Sequence, residues 1–258
     1  MRTGRKTTRA IVRTPGPNAE IGLTTASLGK PDFDKLLEQH KAYVEALQGL
    51  GVQVTELPHL PEFPDAYFVE DVAVLYQDTV IITRPGAESR RHEIDHILGA
   101  LVESPEILTI DAPGTVDGGD VLIHEDTAYV GLSERTNLPG GHQLKEILRD
   151  HGLLVQMVPV GEGLHLKSSV NSVPGALLIA PDFLDHPAFL GKSKIPVHPD
   201  EVYAANAVTI SDTVLFPAGF PKTARKLESL GIALQFMETS EIQKMDGGLT
   251  CLSLRFFD

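Results

Sequence analysis

Repetition is the feature that most constrains what this chain can fold into. Asp78-Thr79-Val80-Ile81-Ile82-Thr83 is echoed by Asp126-Thr127-Ala128-Tyr129-Val130-Gly131, by Pro174-Gly175-Ala176-Leu177-Leu178-Ile179 and by Asp212-Thr213-Val214-Leu215-Phe216-Pro217. The first three copies begin 48 residues apart and the fourth arrives 38 later, while Arg9-Ala10-Ile11-Val12-Arg13-Thr14 opens a fifth at the amino end. Each copy is a short apolar run, four of them introduced by a turn-like pair, which reads as a strand leaving a tight turn.

Apolar residues at helical spacing follow most of these strands. Phe33, Leu36, Leu37, Tyr43, Val44, Leu47 and Leu50 form one stripe, closed by Gly51. Ile94, Ile97, Leu98, Leu101 and Val102 form a second, Leu144, Ile147 and Leu148 a third, and Leu227 with Leu230 a fourth. Residues 181–196 carry the weakest pattern and predict a short helix or a loop. A second strand comes next in every unit, at 52–55, 107–110, 154–158, 195–197 and 232–236.

At the same place in each unit comes a loop rich in reactive side chains. These loops are Pro64 to Asp71, Gly114 to Asp120, Gly163 to Ser169, Tyr203 to Asn206 and Asp246 to Cys251. A period near 50 residues suggests a propeller, but propeller blades are all-strand and these units contain helices. The expected fold class is therefore α/β: a five-bladed pseudo-symmetric α/β propeller, with residues 1–258 forming one domain of five ββαβ-like modules. In such a ring, equivalent loops converge on the central axis and residues far apart in sequence share one site.

Cys251, the only cysteine of 258 residues, lies in the last of these loops. A single cysteine excludes an intramolecular disulfide and CxxC-type metal sites and agrees with a cytoplasmic location. The formal charge of −13 argues against nucleic acid, whose phosphates need clustered Lys and Arg, and suits a cationic ligand. No apolar run approaches the roughly 18 residues that span a bilayer. The basic start, Met1 to Arg9, is followed by too short an apolar run for a signal peptide, so no membrane partner is expected. The ten histidines are scattered without a convincing zinc pattern, and Gly118-Gly119 and Gly247-Gly248 lack the residues of a phosphate loop.

The ordered set of motifs is more specific than any one of them. Phe63-Pro64-Asp65, Phe68-Val69-Glu70-Asp71, Ile82-Thr83-Arg84-Pro85-Gly86-Ala87-Glu88-Ser89-Arg90-Arg91 and Ala112-Pro113-Gly114-Thr115-Val116-Asp117-Gly118-Gly119-Asp120 come first. Arg135-Thr136-Asn137, Leu164-His165-Leu166-Lys167, Tyr203-Ala204-Ala205-Asn206 and Asp246-Gly247-Gly248-Leu249-Thr250-Cys251 follow. Together they resemble the dimethylarginine dimethylaminohydrolases, within the guanidino-group-modifying (pentein) superfamily.

The resemblance implies a single catalytic domain with Cys251 as nucleophile, His165 as proton-transfer residue and Asp117 as their acidic partner. It implies that Asp71, with Glu70 beside it, grips the guanidino nitrogens, and that Arg90 and Arg135 hold the substrate α-carboxylate. Asp65, with the main chain at Leu23 and Met245, would meet the α-amino end. The implied reaction is hydrolysis of asymmetric dimethylarginine or monomethylarginine to citrulline and an amine, with no cofactor and no metal. The implied partner is a small guanidino substrate, and the protein a monomer or homodimer.

Chemistry supports the set. A guanidinium carbon is a poor electrophile, so carboxylates must fix its plane and expose it to a thiolate. The alternative is the same cysteine chemistry on free arginine or another small guanidino compound. An amidinotransferase would need an acceptor site, for which no insert is evident. A non-catalytic binding protein on the same ring, like the ribosome-binding translation factor of related fold, would not need Cys251, His165 and Asp117 together. Gly22 and Gly29 suggest that residues 22–31 form a loop over the site.

Overall fold

A computed structural model describes residues 6–101, 104, 106–161 and 164–257. Five three-stranded sheets are formed, each with the same internal pattern. The second sheet illustrates it: β3 (Ala73–Tyr76) runs antiparallel to β4 (Thr79–Ile82), which runs parallel to β5 (Glu106–Thr109). β6 (Val121–His124), β7 (Thr127–Leu132) and β8 (Leu154–Pro159) repeat it. So do β9 (Val170–Val173), β10 (Ala176–Ile179) and β11 (Lys194–Pro196). β12 (Val208–Ile210), β13 (Thr213–Pro217) and β14 (Ala233–Met237) form the fifth unit.

The first unit joins the two ends of the chain. β1 (Thr7–Arg13) pairs in parallel with β2 (Gln53–Leu57) and antiparallel with β15 (Leu254–Phe257). β15 also packs on β3, while β9 packs on both β6 and β12, so the strand antiparallel to the middle one is the inner strand of its unit. The five hydrophobic clusters complete the ring, because each draws on two neighbouring units. Ile11 and Leu254 meet Val80 and Ile82 in one, and Val214 and Phe216 meet Leu178 and Ile195 in another.

The parallel pair in each unit needs a crossover, and helices supply it where the sequence is amphipathic. α1 (Phe33–Gly49) is capped by Asp32, whose carboxylate accepts the Lys35 N–H, and buries Leu36, Tyr43, Val44 and Leu47. In the second unit the expected long stripe is instead a 3-10 stretch, Glu88–His96, and one turn of helix, α2 (Leu98–Leu101). α3 (Leu138–Asp150) and α4 (Pro221–Ser229) cross over in the third and fifth units. A last helical turn, α5 (Ser240–Gln243), precedes the final loop. Residues 181–189 hold only two short 3-10 turns, as their weak pattern implied.

Three of the four repeated turn pairs place their first residue at positive φ, and the fourth, Pro174-Gly175, its second. Gln77, Glu125 and Ser211 lead their hairpin turns at φ between 52° and 56°, and Gly175 occupies the left-handed region in the fourth copy. Val102 of the second stripe, Gly163 of the third loop and residues 1–5 lie outside the described residues. Among the described residues no helix is long and apolar enough to cross a membrane.

Candidate active site

Each reactive loop ends in a short 3-10 turn that feeds the innermost strand of its unit. Val69–Val72 leads into β3, Gly118–Asp120 into β6, Leu166–Ser168 into β9, Pro199–Ala205 into β12 and Thr250–Leu252 into β15. Asp117 and His165 stand at the start of their turns, and Asp71 and Cys251 lie inside theirs. Equivalent positions around one axis thus deliver an acid, an acid, an imidazole and a thiol to the same end of the ring.

The two double-glycine pairs are required by close approach of these loops. A Cβ on Gly118 would fall 1.9 Å from the Glu70 carbonyl oxygen, and one on Gly119 2.8 Å from His165 Nδ1. On Gly247 it would meet the Phe68 ring at 2.3 Å, and on Gly248 the Asn206 amide at 2.2 Å. None of the four adopts positive φ. Space, and not backbone conformation, selects glycine there.

The turns line a cavity that opens to solvent. Leu23, Asp65, Asp71, Arg90, Asp117, Arg135, His165, Met245 and Cys251 all line it. Phe68, Leu164, Asp246 and Gly247 complete the wall. These four belonged to the motifs but carried no assigned role; adjacency to Asp71, His165 and Met245 was the only signal for them.

Glu70 is the one sequence-predicted residue that does not line the cavity. Neighbours in the Val69–Val72 turn project in different directions, and Glu70 points away to Lys167 Nζ (2.6 Å) and Arg255 Nη2 (2.8 Å). Arg255 also donates to the Thr250 and Ser253 carbonyls, so this buried pairing ties the Cys251 turn to the second and fourth units.

His165 is 5% exposed and its Nε2 lies 3.0 Å from Asp117 Oδ2. The other Asp117 oxygen accepts the Gly86 N–H at 2.8 Å. Burial opposes charge on the imidazole, but Asp71, the Asp117 hydrogen bond and Asp120 outweigh it and raise His165 to about 9. Burial alone would raise the Asp117 carboxyl; the hydrogen bond to His165 and its charge, with Arg90 and the Gly86 N–H, hold it below the usual range. At neutral pH the pair is therefore imidazolium and carboxylate.

Cys251 is half-buried, and burial together with the charges of Glu70 and Asp71 pushes its thiol up to about 12. Such a thiol is protonated at rest, and a bound cation would favour the thiolate. Asp71 accepts the Gly119 N–H with Oδ1 (2.9 Å) and the Arg90 Nη1 with Oδ2 (2.5 Å). Asp71, Asp117 and His165 each offer one ligand atom within 4.8 Å of the others, close enough for a cation. Those groups already bond Arg90, backbone N–H groups and one another.

The two arginines differ. Arg90 is buried, with Nε on Glu93 and Nη2 on Glu93 and the carbonyls of Asp65 and Phe68. With Nη1 on Asp71, little donor capacity faces the cavity. Arg135 is half-buried, and its guanidinium has no hydrogen bond or ion pair among the described residues. At the same side, both Asp65 oxygens accept the Leu23 N–H, at 3.0 and 3.2 Å. Segment 22–31 is held further by Thr24 Oγ1 on the Lys244 carbonyl and by Thr25 on Asp246.

A ring of five α/β units with thiol, imidazole and carboxylates at its axis defines a guanidino-group-modifying enzyme of pentein fold. Residues 30–178 match the family model described as N,N dimethylarginine dimethylhydrolase, eukaryotic. The chain is 43% identical over 250 residues to N(G),N(G)-dimethylarginine dimethylaminohydrolase of Pseudomonas aeruginosa, covering 95% of this chain and 98% of that protein. Identity to the protein of the same name from Streptomyces coelicolor is 39%, covering 96% of each. A crystal structure of a cysteine-to-serine mutant of the Pseudomonas aeruginosa enzyme, complexed with citrulline, superposes with TM-score 0.95 at 42% identity, over 97% of this chain and all of that one. The chain belongs to the dimethylarginine dimethylaminohydrolase family.

Proposed function

We propose that this chain hydrolyses Nω-methylated arginines, asymmetric dimethylarginine and monomethylarginine, to citrulline and dimethylamine or methylamine. The observation that carries the reading is the convergence of Cys251, His165, Asp117 and Asp71 on one cavity that also holds Arg135 and Asp65. Asp71 and Asp117 stand on the same wall as Cys251, which suits a guanidinium held for attack. Arg135 offers bidentate capture of the α-carboxylate, and Asp65 an acceptor for the α-amino group. Arg90 has less to give a carboxylate than its sequence position implied; it holds Asp71 in place.

Asp71 and Asp117 retain lone pairs for guanidino N–H groups and fix the plane of the substrate. The bound cation lowers the Cys251 thiol, whose proton leaves to solvent, and the thiolate attacks the guanidinium carbon. His165, already imidazolium, gives its proton to the departing amine, leaving an S-alkylthiouronium on Cys251. Neutral His165 then takes a proton from water, hydroxide adds to the same carbon, and the C–S bond breaks to release citrulline. Residues 1–258 act as one catalytic domain, a reading supported by cores that are each shared by two units.

Steady-state kcat/KM on dimethylarginine, monomethylarginine and arginine tests the substrate; preference for unsubstituted arginine would overturn it. Cys251→Ser should cost at least ~10³-fold in citrulline formation. The thiol titration, followed by alkylation rate, should move down when an unreactive guanidinium ligand is bound. An unchanged titration would sink activation by the substrate charge.

A further inference from the structure

Asp120 has no exposed surface and does not reach the cavity, yet it connects three of the groups that line it. Its Oδ1 accepts the N–H of Leu166, the residue after His165, at 2.9 Å. Its Oδ2 accepts the Ser133 hydroxyl at 2.7 Å. Ser133 Oγ in turn accepts the backbone N–H groups of Arg135 (3.0 Å) and Thr136 (3.1 Å). Both lone pairs of that hydroxyl are then occupied, so its proton must point to Asp120. Thr136 Oγ1 accepts the Asp117 N–H at 3.1 Å and closes the circuit.

The backbone is shaped around this carboxylate. A Cβ on Gly131 would fall 2.5 Å from Asp120 Oδ1, so glycine at 131 makes the space. Burial pushes the Asp120 carboxyl up, and His165, Ser133, Thr136 and the Leu166 N–H oppose that push. Donors directed at both oxygens suit a carboxylate, and a buried charge of this kind holds its donors in fixed directions.

We propose that Asp120 is a positioning residue that sets His165 and Arg135 in one register. Proton transfer at the guanidino end of the substrate and capture of its carboxylate at the other end then depend on one buried group. The inference rests on the function proposed above, but part of its test does not need the substrate.

Asp120→Asn keeps the shape and turns one oxygen into a donor. That donor must face either the Leu166 N–H or the Ser133 hydroxyl, so one arm breaks. Expected are a fall in kcat of roughly 10- to 100-fold, as for a small misplacement of a reacting group, and a higher KM. The His165 imidazole, followed by NMR in the unliganded protein, should titrate lower than about 9. Ser133→Ala keeps Asp120 and its Leu166 arm. It should raise KM for methylated arginine more than KM for a methylated alkylguanidine lacking the carboxylate, and shift the His165 titration less than Asp120→Asn does.

An Asp120→Asn protein that folds with kcat, KM and the His165 titration unchanged would overturn the proposal. So would a Ser133→Ala protein whose KM is unchanged, or raised equally for both substrates, and that variant decides alone if Asp120→Asn does not fold. A His165 shift with no turnover of methylated arginine by the parent would sink the substrate reading and leave the positioning role standing.

Discussion

His165 and His40 are buried to nearly the same degree, at 5% and 1% exposure, and titrate in opposite directions. His165, at the axis, is held near 9 because Asp71, Asp117 and Asp120 surround it. His40, on the inner face of α1, is pushed down to about 4: burial dominates, and Glu56 and the Arg13 carbonyl do not offset it. Its Nε2 has no hydrogen-bond partner among the described residues. Burial alone therefore says nothing about the charge of a histidine in this protein; the number of facing carboxylates decides. The axis keeps a charge inside the protein for chemistry, and the packing region excludes one.

The strongest attempt to break the contrast is Asp117→Asn, which removes the hydrogen bond that helps hold His165 protonated. The imidazole should titrate nearer its ordinary value, and the alkaline limb of kcat/KM should move down with it. The rate at neutral pH should fall by roughly 10²- to 10⁴-fold, the range for general acid–base catalysis. A pH–rate profile measures both, and an unmoved alkaline limb would mean that Asp117 does not hold the His165 proton.

The second test addresses stability, where the two histidines have opposite signs. His165, raised on folding, contributes stability that is full below the unfolded value of 6.5 and lost as pH rises through about 9. His40, depressed on folding, contributes stability that is full above 6.5 and lost as pH falls toward 4. The His40 loss approaches about 3 kcal/mol at its limit. Urea unfolding at pH 7 and pH 4.5 reads it. His40→Leu should remove most of the difference between the two, and a variant as acid-sensitive as the parent would assign the loss to other groups.

The smallest effect sharpens the same point. Glu56 is the one carboxylate that favours charge on His40, and it is exposed. Glu56→Gln should lower stability at pH 5 by no more than about 0.5 kcal/mol, the scale of an exposed charge interaction. A loss as large as that seen for His40 itself would mean that facing charge, and not packing, governs this region as well.

Much of the ring was legible because its signals are local. Apolar runs of four to six residues, turn pairs and helical stripes located the middle and outer strands of every unit and three of the four crossover helices. Two features escaped. The second crossover is 3-10 structure and α2 in place of the helix that its apolar stripe implied, and its Arg90 and Glu93 are buried as a pair. The Gly-Gly pairs resembled turn glycines, whereas steric contact between loops from different units demands them.

The candidate site shows the same division. Cys251, His165, Asp117, Asp71, Asp65 and Arg135 were named through the family resemblance that the ordered motifs carry, and all six line the cavity. Glu70 and Arg90 carried the right residue types in the right motifs, but their orientation depends on partners distant in the chain, Lys167 and Arg255 for one, Asp71 and Glu93 for the other.

The sequence by itself determined the repeating unit, the α/β class and the residue types that meet on five equivalent loops. Periodicity, turn chemistry and motif order are written in neighbouring residues and need no partner to be read. Tertiary structure alone decided which of those residues face the cavity, and whether each buried ionisable group carries charge. Orientation and ionisation are set by the balance between desolvation and facing charges, and the facing charges come from other units of the ring.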